Sequence, residues 1–225
     1  MKNKIYVFAE AVLFGLILYG NSHFSALTVS RLKYLCIVIN FVMIVVSRER
    51  KVIIDGALAL TLAADTFLVL LNDHYAVGVF FFCLVQALYA WEVGLSIKRV
   101  YVRAGFWLVI VVLLKVSESL NFLTLLSAFS YSQLLLSAFF SWNKPSCFSW
   151  GLALFLLCDS CVGLFNASGY IAGFPEMVGT IAGSLIWVFY VPSQVLITLS
   201  ALKNDQTENK NVLLMKGMEY GKQPE

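Results

Sequence analysis

The chain has 225 residues, of which 60% are hydrophobic and 13% are charged, and its formal net charge is +3 at pH 7. So few polar side chains cannot cover the surface of a water-soluble domain, which indicates an integral membrane protein. The small positive excess is spread between apolar runs and forms no basic patch of the kind that binds nucleic acid. We therefore expect a membrane protein without a nucleic-acid partner.

Eight apolar runs follow one another along the chain, and each is long enough, with small trimming, to cross a bilayer as a helix. They predict an all-α membrane bundle of eight transmembrane helices in one domain that covers residues 1–202. Residues 203–225 are rich in charged and amide side chains, which predicts a polar cytoplasmic tail without a core. The predicted spans lie near residues 5–20, 32–47, 53–71, 76–97, 103–117, 120–141, 148–165 and 178–202.

The basic residues predict the orientation of the bundle, because Lys and Arg are retained on the cytoplasmic side during insertion. With eight spans and both termini in the cytoplasm, 13 of the 16 Lys and Arg residues lie inside. The three outside are Arg31, Lys33 and Lys115. An odd number of spans would remove this asymmetry. We expect a multi-pass protein of the plasma membrane of a bacterium.

Two aspartates lie deep within predicted helices, Asp65 in "LAADTFLVLLND" and Asp159 in "LLCDSCVGLFNA". A central Asp costs about 2.5 to 3.5 kcal/mol on insertion scales, so it usually faces a bundle interior or a wet cavity. Both stand at a similar distance from the predicted outer ends of their helices, so they could meet in one pocket in the outer half of the membrane. Two carboxyl groups in such a pocket disfavour double ionisation. A protonated acid beside a carboxylate is what general acid and base chemistry needs.

The segments around the two aspartates resemble each other. Gly56 and Gly151 begin them with similar sequence, and Asn72 and Asn166 each follow the aspartate by seven residues. Spans three and seven run in the same direction, which predicts two parallel four-helix repeats related by an axis along the membrane normal. Chance similarity between apolar segments is the alternative. The predicted repeats cover approximately residues 1–100 and 101–202.

Further polar side chains fall where they could line the same pocket. Gln86 and Tyr89 are three residues apart and share a face of span four, while Tyr190 and Gln194 are four apart in span eight. Tyr131 belongs to a weaker polar stripe on span six. For each residue, the alternative is an interhelical hydrogen bond that only holds the bundle together.

Two other pairs of residues are expected to be structural. Cys158 and Cys161 have CxxC spacing, but no second pair and no nearby His accompanies them. We expect small buried side chains there, and no metal or other cofactor. Glu10 and Glu92 lie nearer the predicted cytoplasmic ends of their helices, and we expect both to extend to the membrane interface.

Three spaced motifs occur in residues 56–89 and 151–200. They are G-x3-F-x3-Q-x2-Y from Gly78 to Tyr89, G-x3-F-x3-D from Gly151 to Asp159, and Y-x3-Q-x2-I-x2-S from Tyr190 to Ser200. These motifs resemble those of the YhhN family, which includes the lysoplasmalogenases of animal membranes, eight-helix proteins that cleave the vinyl ether bond of lysoplasmalogens to a fatty aldehyde and a glycerophospho head group. Family members usually have His where this chain has Gln86, and a Lys-Pro pair typical of the second span is missing around Lys33.

The resemblance implies that Asp65 and Asp159 are catalytic, one as general acid and the other as the group that stabilises a cation or activates water. The substrate would be a lipid that comes from the bilayer, and the oligomeric state is left open. The alternatives are a small-solute or proton-coupled carrier and a lipid-binding protein without turnover. The candidate substrate-binding residues are Gln86, Tyr89, Tyr131, Tyr190, Gln194, Asn72 and Asn166.

Overall fold

The computed structural model describes residues 2–47, 51–143, 145–171 and 174–202, and the regular structure within them is helical throughout. This confirms the all-α class, and the order of the helices follows the predicted spans. The predicted tail, residues 203–225, lies outside the described residues. The elements are α1 Lys2–His23, α2 Ala26–Val46, α3 Val52–Asp65, a π-helical segment Thr66–Leu71, α4 Tyr75–Val93, α5 Ile97–Val116, α6 Phe122–Ser141, α7 Cys147–Tyr170 and α8 Glu176–Leu202.

Seven of the described helices are long and apolar enough to span a membrane. The exception is α5, which has 20 residues but carries Lys98, Arg99 and Arg103 near its start and Lys115 near its end. The protein is therefore compatible with a multi-pass helical membrane bundle. The crossing of the membrane by α5 and the cytoplasmic placement of both termini stay predictions.

Several helices begin where a short polar side chain precedes an apolar run. Ser25, Ser96, Asn121 and Ser146 are the N-caps of α2, α5, α6 and α7, and each accepts a hydrogen bond from a backbone N–H of the first turn. The connections between consecutive elements are two to five residues long. Such short connections place consecutive helices antiparallel, so α3 and α7 run in the same direction.

Glycine residues allow the helices that pack most extensively to approach each other closely. The most extensive packing joins α7 to α8 and α3 to α4. A Cβ atom added to Gly151 would lie 2.7 Å from Ile197 of α8, and one added to Gly78 would lie 2.5 Å from Leu68. Helix α4 also packs on α6, and α8 packs on α2. In two related four-helix halves, the pair α3–α4 would correspond to α7–α8, and the pair α4–α6 would correspond to α8–α2. The repeat itself stays a prediction.

The position of Glu10 differs from the sequence-based expectation. Its side chain was expected at the interface, yet it is only 2% exposed. Asn40 of α2 donates to Glu10 Oε1 at 3.4 Å, and the Tyr6 and Thr198 hydroxyls both donate to Asn40 Oδ1. The prediction was wrong because α1, α2 and α8 together supply polar neighbours that let a carboxyl group lie inside. Glu92, by contrast, lies near the end of α4 and pairs with Lys51 at 2.6 Å.

Candidate active site

Asp65 lies at a junction in the backbone, as the last residue of α3 before the π-helical segment. Its side chain is 3% exposed, and the Tyr190 hydroxyl of α8 donates a hydrogen bond to its Oδ2. The next residue, Thr66, is 3.0 Å from the Tyr34 hydroxyl of α2. Single π-helical turns inside helices are frequent at functional sites. Elements α2, α3 and α8 thus hold this carboxyl group in one position.

Asp159 lies within α7 and comes close enough to Asp65 for the two carboxyl groups to interact electrostatically. The residue is half-buried. Among the residues that the structure describes, none makes a hydrogen bond to the Asp159 carboxyl group. The two aspartates that the sequence singled out therefore lie within electrostatic range of each other, in unequal surroundings.

Two glutamines, each about one helical turn from Tyr89 or Tyr190, are buried without hydrogen-bond partners among the described residues. Gln86 and Gln194 are fully buried, and neither the amide nitrogen nor the amide oxygen of either side chain makes a hydrogen bond within the described part of the chain. Gln86 shares a helix face with Tyr89, and Gln194 shares one with Tyr190. An unsatisfied buried polar group costs about 1 to 3 kcal/mol. Such groups are therefore candidates to bind a ligand or a water molecule.

Tyr89 is the matching tyrosine of α4, and it is also fully buried. Its hydroxyl lies beside Thr61 and within electrostatic reach of Asp65, but it makes no hydrogen bond of normal geometry to the described residues. Tyr89 and Tyr190 therefore both face the aspartate pair. Only Tyr190 donates a hydrogen bond to a carboxylate.

An aromatic wall borders the aspartate pair, and Phe155 is at its centre. The Phe155 ring centroid is 5.7 Å from that of Tyr190, 6.5 Å from that of Tyr89 and 5.8 Å from that of Phe82. Trp187 packs on the other side of Tyr190 at 5.2 Å. Aromatic faces attract cations, so this wall suits a reaction in which positive charge develops on the substrate.

Three predicted site residues are exposed and make no hydrogen bond to the carboxyl groups of Asp65 and Asp159. Tyr131 is 37% exposed, and its hydroxyl is 3.0 Å from Ser160 Oγ rather than at an aspartate. Asn72 and Asn166 are exposed beyond the aspartates on their helices. Asn72 has a left-handed φ of 52° and accepts a hydrogen bond from the Tyr75 hydroxyl at 2.8 Å. Their role in substrate binding stays a prediction.

The sequence analysis missed polar residues that extend the site along α8. Thr198 is fully buried one turn after Gln194 and donates to Asn40 at 3.0 Å. Tyr190, Gln194 and Thr198 therefore form a buried polar stripe that leads from the aspartate pair to Glu10. The Glu10 Oε2 atom has no hydrogen-bond partner among the described residues. The signal was present, since Thr198 repeats the four-residue spacing of Tyr190 and Gln194.

The two cysteines of the CxxC pair, Cys158 and Cys161, are buried next to Asp159 on α7. Within the described helices, no three His, Cys, Asp or Glu side chains come close enough together to hold a metal ion. Comparisons of the chain with protein families, with curated proteins and with solved structures find no match. The function is therefore argued from the site.

Proposed function

We propose that the protein is a membrane-embedded hydrolase of the lysoplasmalogenase type and a member of the YhhN family. It would cleave the vinyl ether bond of a lysoplasmalogen or a related ether lipid and release a fatty aldehyde. The observation that carries the proposal is the pairing of Asp65 with Asp159, two interacting carboxyl groups with different neighbours. Different environments give two carboxyl groups different protonation states, as acid and base roles require.

Asp159 is proposed as the general acid. In its protonated form it transfers a proton to the alkene carbon that is not bonded to oxygen. The electron pair of the double bond forms the new C–H bond, which leaves a cation shared between the other alkene carbon and the ether oxygen. Asp159 suits this step because the residue is only half-buried and its carboxyl group makes no hydrogen bond to described residues.

Asp65 is proposed as the carboxylate that stabilises the cation. The hydrogen bond from Tyr190 fixes the direction of the Asp65 carboxyl group. The faces of Phe155 and Tyr190 add attraction for the same positive charge. Glycosidases use the same division of labour, because their carboxyl pairs also flank an oxocarbenium-like transition state.

The reaction is completed by water, which adds to the cationic carbon and returns a proton to Asp159. The hemiacetal hydroxyl then loses its proton, which passes to the departing ether oxygen as the C–O bond breaks. The carbon becomes the aldehyde, and the ether oxygen leaves as the hydroxyl of the glycerophospho product. The amides of Gln86 and Gln194 are proposed to hold the water and the ether oxygen, because their polar atoms are buried without protein partners. Atoms and protons balance over one turnover.

The test is aldehyde release from a defined substrate. The purified protein in lipid nanodiscs is incubated with a 1-alkenyl lysophospholipid, and the aldehyde is measured by mass spectrometry. The 1-alkyl analogue is the substrate control, because it has no double bond to protonate. The variants are Asp65→Asn and Asp159→Asn, and the control variant is Asp73→Asn, which changes an exposed aspartate. Absence of aldehyde with the unaltered protein contradicts the proposal, and so does full activity in both site variants.

A proton-coupled carrier is a second candidate function, favoured by the polar stripe of Tyr190, Gln194 and Thr198. This stripe joins the aspartate pair to Glu10, and chains of acidic and polar side chains are typical of proton pathways through membranes. A carrier moves protons with a solute in proteoliposomes and leaves the solute chemically unchanged. Flux that Glu10→Gln abolishes, without aldehyde formation, would support the carrier over the hydrolase.

A further inference from the structure

Lys33 is a half-buried cation on α2, on the predicted outer side of the membrane. Its ammonium nitrogen lies 4.7 Å from the centroid of the Trp187 ring of α8. No carboxylate of the described residues lies within ion-pair distance of it. A cation in an apolar region is costly unless it is paired, and it usually marks a functional site. Lys33 is therefore expected to pair with an anion that does not belong to the described residues.

Trp187 connects Lys33 to the proposed active site. The Trp187 ring contacts the Lys33 ammonium on one side and the Tyr190 ring on the other, with the two rings nearly perpendicular at 85° and their centroids 5.2 Å apart. The Tyr190 hydroxyl in turn donates to Asp65. Two aromatic side chains, Trp187 and Tyr190, thus connect the cation to Asp65.

The dimensions of a lysophospholipid match this arrangement. Three glycerol carbons separate its ether oxygen from its phosphate, which is a reach of about 6 Å at about 1.5 Å per bond. The Lys33 ammonium lies 4.7 Å from the Trp187 centroid, and the Tyr190 centroid lies at most 5.2 Å beyond that centroid. A lipid whose phosphate contacts Lys33 can therefore extend its ether oxygen past Trp187 to Tyr190, the hydrogen-bond donor to Asp65.

We propose that Lys33 binds the phosphate of the lipid substrate and so selects phosphate-bearing vinyl ether lipids over uncharged ones. This inference rests on the proposed function. The ammonium group offers three N–H donors, and hydrogen bonds between charged groups of this kind are short and strong. Lys33 acts in binding and positioning, and the proton transfers remain with the aspartates.

Arg31 supplies a matched control on the same helix. It stands two residues before Lys33, about 200° around the helix at 100° per residue, and it is exposed. Removing its charge changes the net charge of the protein as much as removing that of Lys33. It leaves the contact with Trp187 intact.

The experiment compares two substrates, a 1-alkenyl lysophospholipid with a phosphoethanolamine head group and the matching 1-alkenyl glycerol without phosphate. Lys33→Gln is expected to raise KM for the phosphate-bearing substrate about 10-fold or more, as loss of a charge-assisted hydrogen bond implies. It should leave KM for the alkenyl glycerol unchanged. Lys33→Arg should keep most of the preference, and Arg31→Gln should keep all of it. Equal effects of Lys33→Gln on both substrates would overturn the inference.

A binding measurement separates this inference from the proposed function. Uncleavable 1-alkyl analogues of both substrates are titrated onto the unaltered protein and onto Lys33→Gln in nanodiscs. The unaltered protein should bind the phosphate-bearing analogue more tightly, and Lys33→Gln should remove the difference. Equal binding of the two analogues by the unaltered protein overturns the role of Lys33. A clear preference without any aldehyde release would instead overturn the hydrolase and leave Lys33 as a phosphate-binding residue.

Discussion

Asp65 and Asp159 occupy matching positions on two similar, parallel helices, but their surroundings differ. Asp65 is buried, stands before a π-helical segment and accepts a hydrogen bond from Tyr190. Asp159 lies inside a continuous α-helix, is partly accessible and accepts no hydrogen bond from described residues. Similar local sequence therefore gives unequal carboxyl groups once the neighbouring helices differ. Unequal carboxyl groups are what a division into acid and base requires.

The tyrosines opposite the aspartates show the same inequality. Gly78 and Tyr89 of α4 have the same separation, eleven residues, as Gly179 and Tyr190 of α8. Tyr190 nevertheless donates to Asp65, whereas the Tyr89 hydroxyl has no hydrogen-bond partner in the described structure. The two tyrosines therefore differ in their hydrogen bonds, as the two carboxyl groups do.

The largest expected effect follows from exchanging each carboxyl group for an amide. Asp159→Asn should lower kcat by about 10³-fold, because the proposed proton donor is lost. Asp65→Asn should lower kcat by about 10²-fold, because the amide still accepts the Tyr190 hydrogen bond but no longer carries the charge that stabilises the cation. Rates of aldehyde release measure both. Equal losses in the two variants would remove the proposed division of roles.

The tyrosine pair gives a matched test of stability. Tyr190→Phe should lower the free energy of unfolding by about 1 to 3 kcal/mol, because Asp65 is left buried without its donor. Tyr89→Phe removes a hydroxyl that has no hydrogen-bond partner among the described residues, so it should be neutral or slightly stabilising. Thermal unfolding in detergent micelles compares the two variants. A larger loss in Tyr89→Phe would contradict the asymmetry.

Replacing either unpartnered glutamine by leucine should stabilise the protein and lower its activity. Gln86→Leu and Gln194→Leu are each expected to raise the free energy of unfolding by up to about 1 kcal/mol while turnover falls. Gln133→Leu is the control, because Gln133 Oε1 accepts a hydrogen bond from the buried Arg103 at 2.9 Å. The control should destabilise the protein. Unfolding curves and aldehyde assays on the three variants decide the outcome, and stabilisation by the control would refute the argument.

The smallest effects are expected at the two asparagines. Asn72 and Asn166 are exposed, so Asn166→Ala should change turnover less than about twofold and stability by less than about 0.5 kcal/mol. Asn72→Ala should cost about 1 kcal/mol of stability because the left-handed backbone disfavours a Cβ atom, whereas Asn72→Gly should be tolerated. Assays of turnover and unfolding measure both. A strong loss of turnover in either asparagine variant would contradict this prediction and would show that the site includes that asparagine.

The helices could be predicted from the sequence because apolar length and capping residues are local signals. The third apolar run ended at 71 in the prediction, and the π-helical segment ends at Leu71. The change from α to π geometry after Asp65 could not be predicted, because the sequence TFLVLL has no pattern that distinguishes the two. The contact of Thr66 with Tyr34 of α2 joins residues far apart in the chain, so it could not be predicted either.

The members of the site could be predicted, but their pairing could not. Lone carboxyl groups and polar residues at helical spacing indicated Asp65, Asp159, Tyr190 and Gln194. Which tyrosine donates to which aspartate depends on how far the helices are rotated, and that is decided by packing at residues such as Gly151. Glu10 was misplaced for the same reason, since its partners belong to other helices.

The short connections between the helices have a consequence for the kinetics of the proposed reaction. Loops of two to five residues cannot reach over the bundle to collect a substrate from solution. Encounters therefore occur by diffusion in two dimensions, and the rate should follow the mole fraction of substrate in the bilayer rather than its bulk concentration. Adding inert phospholipid to the vesicles should slow the reaction by surface dilution, even when the total amount of substrate is constant.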